Sequence, residues 1–202
     1  MAAIALFARA PVAGQVKTRL IPTYGAYGAR RLYRRMAMSV IKAAHASGTG
    51  SLTVWAAGSP SHRFFRGLRA SIPCDIRPQA TGDIGQRMTH ALACHARQGP
   101  VLLVGTDLPA LRPGHFHDAS RALERGTDVV LLATEDGGFG LIGTSRTLPT
   151  SALDDIEWST PRVLSEVCAR FARLGLSVAI QGPTWDVDEA VDVDRWLGAG
   201  ED

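Results

Sequence analysis

Five stretches of the chain carry residue types that bind phosphates, metals or bases. The first is RAPVAGQVKTRL, residues 9–20. Gly14 can adopt positive φ and let backbone N–H groups approach a ligand. Lys17, Arg19 and Arg9 add charge-assisted donors, and the combination suits a pyrophosphate; a solvated loop is the plainer alternative. The stretch is neither a Walker A loop nor a GxGxxG fingerprint. The second is GTDLP, residues 105–109, where Asp107 follows an apolar run and Pro109 forces a turn. A carboxylate there suits Mg²⁺ beside phosphates, or a cap or turn. The third is WDVDEAVDVDRW, residues 185–196. Of Asp186 and Asp188, one is expected to face the site and the other to cap a helix, with at least one of them a metal ligand.

The fourth stretch is TEDGGFGLIG, residues 134–143, where Glu135 and Asp136 end a strand and two glycines allow close approach to the backbone. Asp-Gly is also a hairpin-turn signal. The fifth is RPQATGDIGQRM, residues 77–88. Gly82 and Gly85 bracket a helix start, whose free amides favour an anion or a carbonyl-rich base. Gln79 offers both donor and acceptor to a base edge, and Arg87 belongs either to the site or to the surface.

The frame for these stretches is an alternation of apolar runs and helical patterns. IALFA (4–8), SLTVWAA (51–57), CDIRP (74–78), VLLVG (101–105), DVVLLAT (128–134), FGLIG (139–143) and LSVAI (176–180) read as strands. Helices are expected over 26–46, 61–68, 83–97, 113–126, 159–175 and 188–197. Leu32, Met36, Val40 and Ile41 lie on one face of the first, and Asp83 and Gln86 are spaced as a capping box in the third. Strands alternating with helices predict a mostly parallel sheet covered on both faces. In such folds ligands bind beyond the carboxyl ends of strands, so the polar residues that follow strands are the candidates.

With 202 residues, one domain spanning 1–202 is expected. A net charge of +3 and pI of about 9.0 are mildly basic. Arg30, Arg31, Arg34 and Arg35 read as a solvated helix face, with an anionic ligand as the alternative. No basic run is dense enough for a nucleic-acid tract, and no apolar run is long enough for a membrane span. Cys74, Cys94 and Cys168 form no CxxC pair and suit a reduced cytoplasm. Cys94-His95 and His115-Phe116-His117 are not spaced as a zinc site.

FARAPVAGQVKTRL, Gln79 with GDIGQRM, GTDLP, EDGGFGLIG, WSTPRVL and DVDEAVDVD occur in this order across nearly the whole chain. Together they resemble a bacterial, glycosyltransferase-like branch of the GT-A-fold nucleotide-diphospho-sugar transferase superfamily. Its relatives include the molybdenum-cofactor and phospholactate guanylyltransferases. The resemblance implies a GT-A, Rossmann-like three-layer α/β/α sandwich. It implies a phosphate loop at Gly14, Lys17 and Arg19, a base-reading loop at Gln79, Gly82 and Gly85, and a metal-binding Asp107. TDLP lacks the second acid of a DxD element, so Asp188 or Asp186 becomes the second metal carboxylate. Phe139-Gly140 replaces the aromatic pair usual after DGG.

The function expected from this resemblance is Mg²⁺- or Mn²⁺-dependent transfer from a nucleotide-activated donor to a small acceptor. Lys17 and the metal would neutralise the diphosphate, and Asp136, beside Glu135 as in the xED motif of sugar transferases, is the candidate general base. Trp158 and Trp185 are candidates to flank the acceptor. Glycosyl transfer is the first expectation, since no LAGGxGxRMG loop is present. Nucleotidyl transfer with release of pyrophosphate is the alternative, and non-catalytic nucleotide binding is a third. The oligomeric state is left open.

Overall fold

The computed structural model describes residues 1–199. Seven strands form one sheet: β1 (Ala3–Arg9), β2 (Leu52–Ala57), β3 (Asp75–Pro78), β4 (Val101–Val104), β5 (Val129–Thr134), β6 (Phe139–Thr144) and β7 (Val178–Thr184). Their order is β3-β2-β1-β4-β6-β5-β7. Only β6 runs against its neighbours, lying antiparallel to both β4 and β5. Ile4, Ala5 and Leu6 of β1 are all fully buried, because helices cover both sheet faces.

Six helices make the outer layers: α1 (Ile21–Ala46), α2 (Arg63–Ser71), α3 (Ile84–Ala96), α4 (Pro113–Glu124), α5 (Val163–Arg173) and α6 (Ala190–Gly198). On one face, Met36, Val40 and Ile41 of α1, Phe65 of α2, Phe116 of α4 and Val193 of α6 pack on Ile4, Leu6, Leu102 and Val104. On the other, Leu92 of α3 and Val167 and Phe171 of α5 pack on Ala5, Leu103 and Leu131. Successive strand residues point to opposite sheet faces, so each strand feeds both cores. The architecture is the expected three-layer α/β/α sandwich.

Boundaries follow local signals. α1 is broken at Gly25, whose φ of 67° is not helical, and runs on to Ala46. Asp83 caps α3 as the sequence spacing predicts, its Oδ1 accepting from Gln86 N at 2.8 Å. The last helix differs: it starts at Ala190, two residues later than expected, with its cap at Glu189. β7 extends to Thr184 beyond the expected LSVAI run, and its Thr184 pairs with Thr134 of β5. The arginines of α1 do more than coat a helix: Arg30, Arg31, Arg34 and Arg35, with Lys42 and Arg63, line a groove between α1 and α2.

Candidate active site

The loop after β1 and the segments after β4 and β7 converge on one ammonium group. Lys17 Nζ donates to Asp107 Oδ2 at 2.9 Å and to Asp188 Oδ1 at 2.7 Å. Arg19 Nη1 donates to Asp188 Oδ2 at 2.8 Å. The Lys17 side chain is only 7% exposed. Burial pulls its pKa down, but the charges and hydrogen bonds of Asp107 and Asp188 outweigh that and hold it above the usual lysine value. Burial likewise raises the Asp188 carboxyl, and Lys17 and Arg19 more than reverse the effect. Lys17 itself sits at φ 45°, ψ 52°, a left-handed conformation costly for a residue with Cβ.

Tyr33, on the buried stripe of α1, anchors this end of β1. Its hydroxyl accepts from Arg9 N at 2.8 Å, donates to Arg9 O at 3.0 Å, and lies 3.2 Å from Thr106 Oγ1. Tyr33 and Thr106 are outside the set of residues that motif and spacing single out. The available signal was a phenol inside an apolar stripe, since a buried tyrosine hydroxyl needs a partner.

Asp188 lines the polar cleft and Asp186 the cavity beside it, so neither caps α6, which corrects the expectation that one of them does. Positions two apart on extended backbone project to the same side. Val187 between them is fully buried in the core, and its N–H donates to Asp107 O at 3.0 Å. Glu189 is the N-cap of α6, and Asp192 at its third position completes the capping box, its Oδ2 accepting from Asp188 N at 3.0 Å and Glu189 N at 2.8 Å. Burial, then the neighbouring Asp188 and Asp136, push the Asp186 carboxyl up to about 6.

A polar cleft of about 420 Å³ opens over the cluster, lined by Arg9, Lys17, Arg19, Gln79, Arg87, Asp107 and Asp188 among others. Gln79 is held in place by its Nε2 donating to Trp55 O at 3.0 Å. Arg87 Nε donates to Gly82 O at 2.8 Å. The three glycines expected at the nucleotide do not line this cleft. Gly14 forms the exposed turn, at φ 80°, that brings Lys17 round to the cleft. Gly82 supplies the carbonyl that holds Arg87. Gly85 is buried where α3 meets the 150–153 turn: a Cβ there would stand 2.5 Å from Leu153 O and 3.0 Å from Trp158 Cζ2. Close packing accounts for Gly85.

A second cavity of about 360 Å³ adjoins the cleft, sharing Phe7, Ile84 and Asp107 with it. Trp158 and Phe139 form one wall as an edge-to-face pair with centroids 6.3 Å apart, and Asp136 and Asp186 also line it. Asp136 serves the β5–β6 turn as well: its Oδ1 accepts from Gly138 N at 3.0 Å and Thr134 Oγ1 at 2.5 Å. Glu135 is engaged elsewhere, in a two-bond pair with Arg195 at 2.7 and 2.9 Å. Arg195 lies 4.4 Å from the centroid of the Trp185 ring. Of the two tryptophans expected beside an acceptor, Trp158 lines this cavity and Trp185 does not.

Asp107 and Asp188 aim one oxygen each at a single cationic centre, so their geometry fits a small cation between them. Among the described residues no group of three or more His, Cys, Asp or Glu side chains is disposed to hold a metal ion. A divalent ion would therefore take two carboxylates from the protein and complete its shell with phosphate oxygens and water, as Mg²⁺ commonly does.

Fold and site together define a GT-A-like transferase related to the nucleotidyltransferases. The chain belongs to the family described as "Uncharacterized protein conserved in bacteria (DUF2064)", whose model matches residues 40–160. A curated relative, the 3-phospho-D-glycerate guanylyltransferase of Phenylobacterium zucineum (strain HLK1), is 30% identical over 173 residues, covering 81% of this chain and 74% of the relative. A crystal structure from Desulfovibrio desulfuricans G20, provisionally named a nucleotide-diphospho-sugar transferase, superposes with a TM-score of 0.88. It is 25% identical, over 100% of this chain and 88% of that one. A Mycobacterium tuberculosis H37Rv protein crystallised with manganese shares the fold at a TM-score of 0.54 and 18% identity, over 98% of this chain and 100% of that one. No helix among the described residues is long and apolar enough to cross a membrane.

Proposed function

We propose that the protein transfers a nucleotidyl group from a nucleoside triphosphate to a hydroxyl of a small acceptor, releasing pyrophosphate. The observation that carries this reading is the Lys17–Asp107–Asp188 cluster, with Asp107 lining both the polar cleft and the apolar cavity. Similarity to a guanylyltransferase supports the nucleotidyl direction.

In this reading the base lies towards Gln79 and Arg87, the phosphates run over Lys17, Arg19 and Arg9, and the acceptor enters the cavity beside Trp158. Asp107, with Asp188 or Asp186, would hold Mg²⁺ or Mn²⁺; the manganese complex of the mycobacterial protein is in keeping with this. The bound ion would supply charge neutralisation at the phosphates. Lys17 turns from a carboxylate to a phosphate oxygen without losing its proton. Asp136 is the general base for the acceptor hydroxyl, through the carboxylate oxygen that the β5–β6 turn leaves free. Most of the rate enhancement comes from positioning and electrostatics. The reaction belongs in the cytoplasm, where thiols stay reduced; Cys74, Cys94 and Cys168 are all free.

Glycosyl transfer from a nucleotide-diphospho-sugar is the second reading, favoured by the likeness to the Desulfovibrio protein. A thermal-shift panel of nucleoside triphosphates and nucleotide sugars, with and without Mg²⁺ or Mn²⁺, followed by product analysis, separates the readings. Pyrophosphate release supports nucleotidyl transfer, and nucleoside diphosphate release from a sugar nucleotide overturns it in favour of glycosyl transfer. A shift without turnover on any acceptor identifies a nucleotide-binding protein. No metal-dependent shift with any nucleotide overturns both enzyme readings, and no shift at all overturns the nucleotide-binding one as well.

A further inference from the structure

The cavity beside the cleft has a charge pattern that restricts what it can hold. Among the described residues no lysine, arginine or histidine lines it. Its charged groups are the carboxylates of Asp107, Asp136 and Asp186. Asp107 is already paired with Lys17, but Asp136 and Asp186 have no cationic partner within 4 Å among the described residues. The remaining walls are largely hydrocarbon and aromatic, with Phe139 and Trp158 facing each other edge to face. An anion moved from water into such a space loses its hydration and meets uncompensated negative charge. A site with this pattern rejects anions by repulsion as much as it selects its ligand by contact.

We propose that this cavity accepts an alcohol that carries no phosphate or carboxylate, uncharged or cationic, with an apolar body packed on Phe139 and Trp158. The proposal rests on the transferase reading in taking the cavity as the acceptor's place, and on the metal lying between Asp107 and Asp188, which leaves Asp136 and Asp186 without a cation. It separates this chain from its relative, whose named substrate, 3-phospho-D-glycerate, is a phosphorylated acid. An amine on the ligand would face Asp136 and Asp186, while the cations that bind the nucleotide's phosphates, Lys17 and Arg19, line the neighbouring cleft.

The test is direct binding, by calorimetry at pH 8 without nucleotide, of three probes that share a benzyl group: 2-phenylethanol, phenylalaninol and 3-phenyllactate. 3-Phosphoglycerate is the fourth. Phenylethanol and phenylalaninol are expected to bind at least about ten-fold more tightly than phenyllactate and 3-phosphoglycerate. Anionic probes binding as tightly as the others, or no probe binding at all, would overturn the proposal. Thr160→Arg places a guanidinium at the cavity lining, at a residue that does not line the Lys17 cleft. It is expected to improve phenyllactate binding at least about five-fold; unchanged discrimination in a folded variant would overturn the electrostatic origin of the selectivity. The nucleotide panel fails or succeeds independently of these titrations, so the two readings fall separately.

Discussion

The ammonium of Lys17 lies 2.7 Å from a carboxylate oxygen of Asp188, a residue 171 positions further along the chain. The same ammonium reaches Asp107 at 2.9 Å, so one cation joins the loops after β1, β4 and β7. This cross-link is both a structural tie and the charge centre of the candidate site, and its two roles can be tested apart.

Replacing Lys17 with Met leaves Asp107 and Asp188 facing each other without their shared cation. Both carboxylates are over 40% exposed, so solvent screens much of the loss. A destabilisation of about 1–2 kcal/mol is expected, a fall of roughly 2–8 °C in melting temperature. Added Mg²⁺ should raise the melting temperature of Lys17→Met more than that of the wild type, because the ion can enter the vacated position. Equal Mg²⁺ responses would argue against a cation site between these carboxylates.

Asp107→Asn should fold and yet lose the metal-dependent nucleotide response. A ligand at 100-fold its Kd stabilises a protein by about 2.7 kcal/mol, or roughly 5–10 °C for a chain of this size. That shift should be present in the wild type and absent in the variant. Wild-type nucleotide affinity in Asp107→Asn would remove Asp107 from the metal site.

Gly85→Ala separates packing from base recognition. The added methyl would meet Leu153 O and Trp158 Cζ2 at 2.5 and 3.0 Å, so α3 or the 150–153 turn must move. Overpacking of this kind costs about 1–3 kcal/mol. Thermal denaturation should record that loss, while nucleotide Kd in the folded variant should stay within about three-fold of wild type, under 1 kcal/mol. A larger loss of affinity with little change in stability would return Gly85 to the base-reading loop.

Acid stability should depend on Asp128, at the start of β5. Its Oδ2 accepts from Ser177 N and Oγ, both at 2.9 Å, and Arg146 Nε lies 2.9 Å from its Oδ1. The Ser177 bonds, chiefly, hold its pKa below the usual value of 3.8. A depressed carboxylate stabilises the fold above its unfolded pKa, and that contribution is lost as pH falls through the folded value. Asp128→Ala should therefore melt below the wild type at pH 7, with the gap closing below pH 3.8. Melting curves across that range provide the check; a gap that persists at pH 2 would mean that charge is not its source.

The chain's local patterns carried most of the secondary structure. The capping box at Asp83 and Gln86, the helical run from Ala26 to Ala46 and the buried strand VLLV all depend on residues within a few positions of one another. The Lys17/Arg19 loop and the Asp107 turn could be recognised because both follow strands, where α/β folds bind ligands. Gly14, Gly82 and Gly85 were harder to assign, since a glycine marks tight geometry without saying whether a ligand or another segment comes close.

By itself, then, the sequence determined the alternation of strands and helices and the kinds of groups available at the strand ends. Only the tertiary structure decided which groups meet. The sheet order brings the end of β4 beside that of β1, while β6 separates β4 from β5. Val187, buried in the core and bonded to Asp107 O, holds Asp186 and Asp188 beside Asp107. Periodicity reports contacts along a helix or strand, whereas the partners of Lys17 lie 90 and 171 positions away. Those distances are closed by the burial of two cores and the strand order they impose, which no short window of residues encodes.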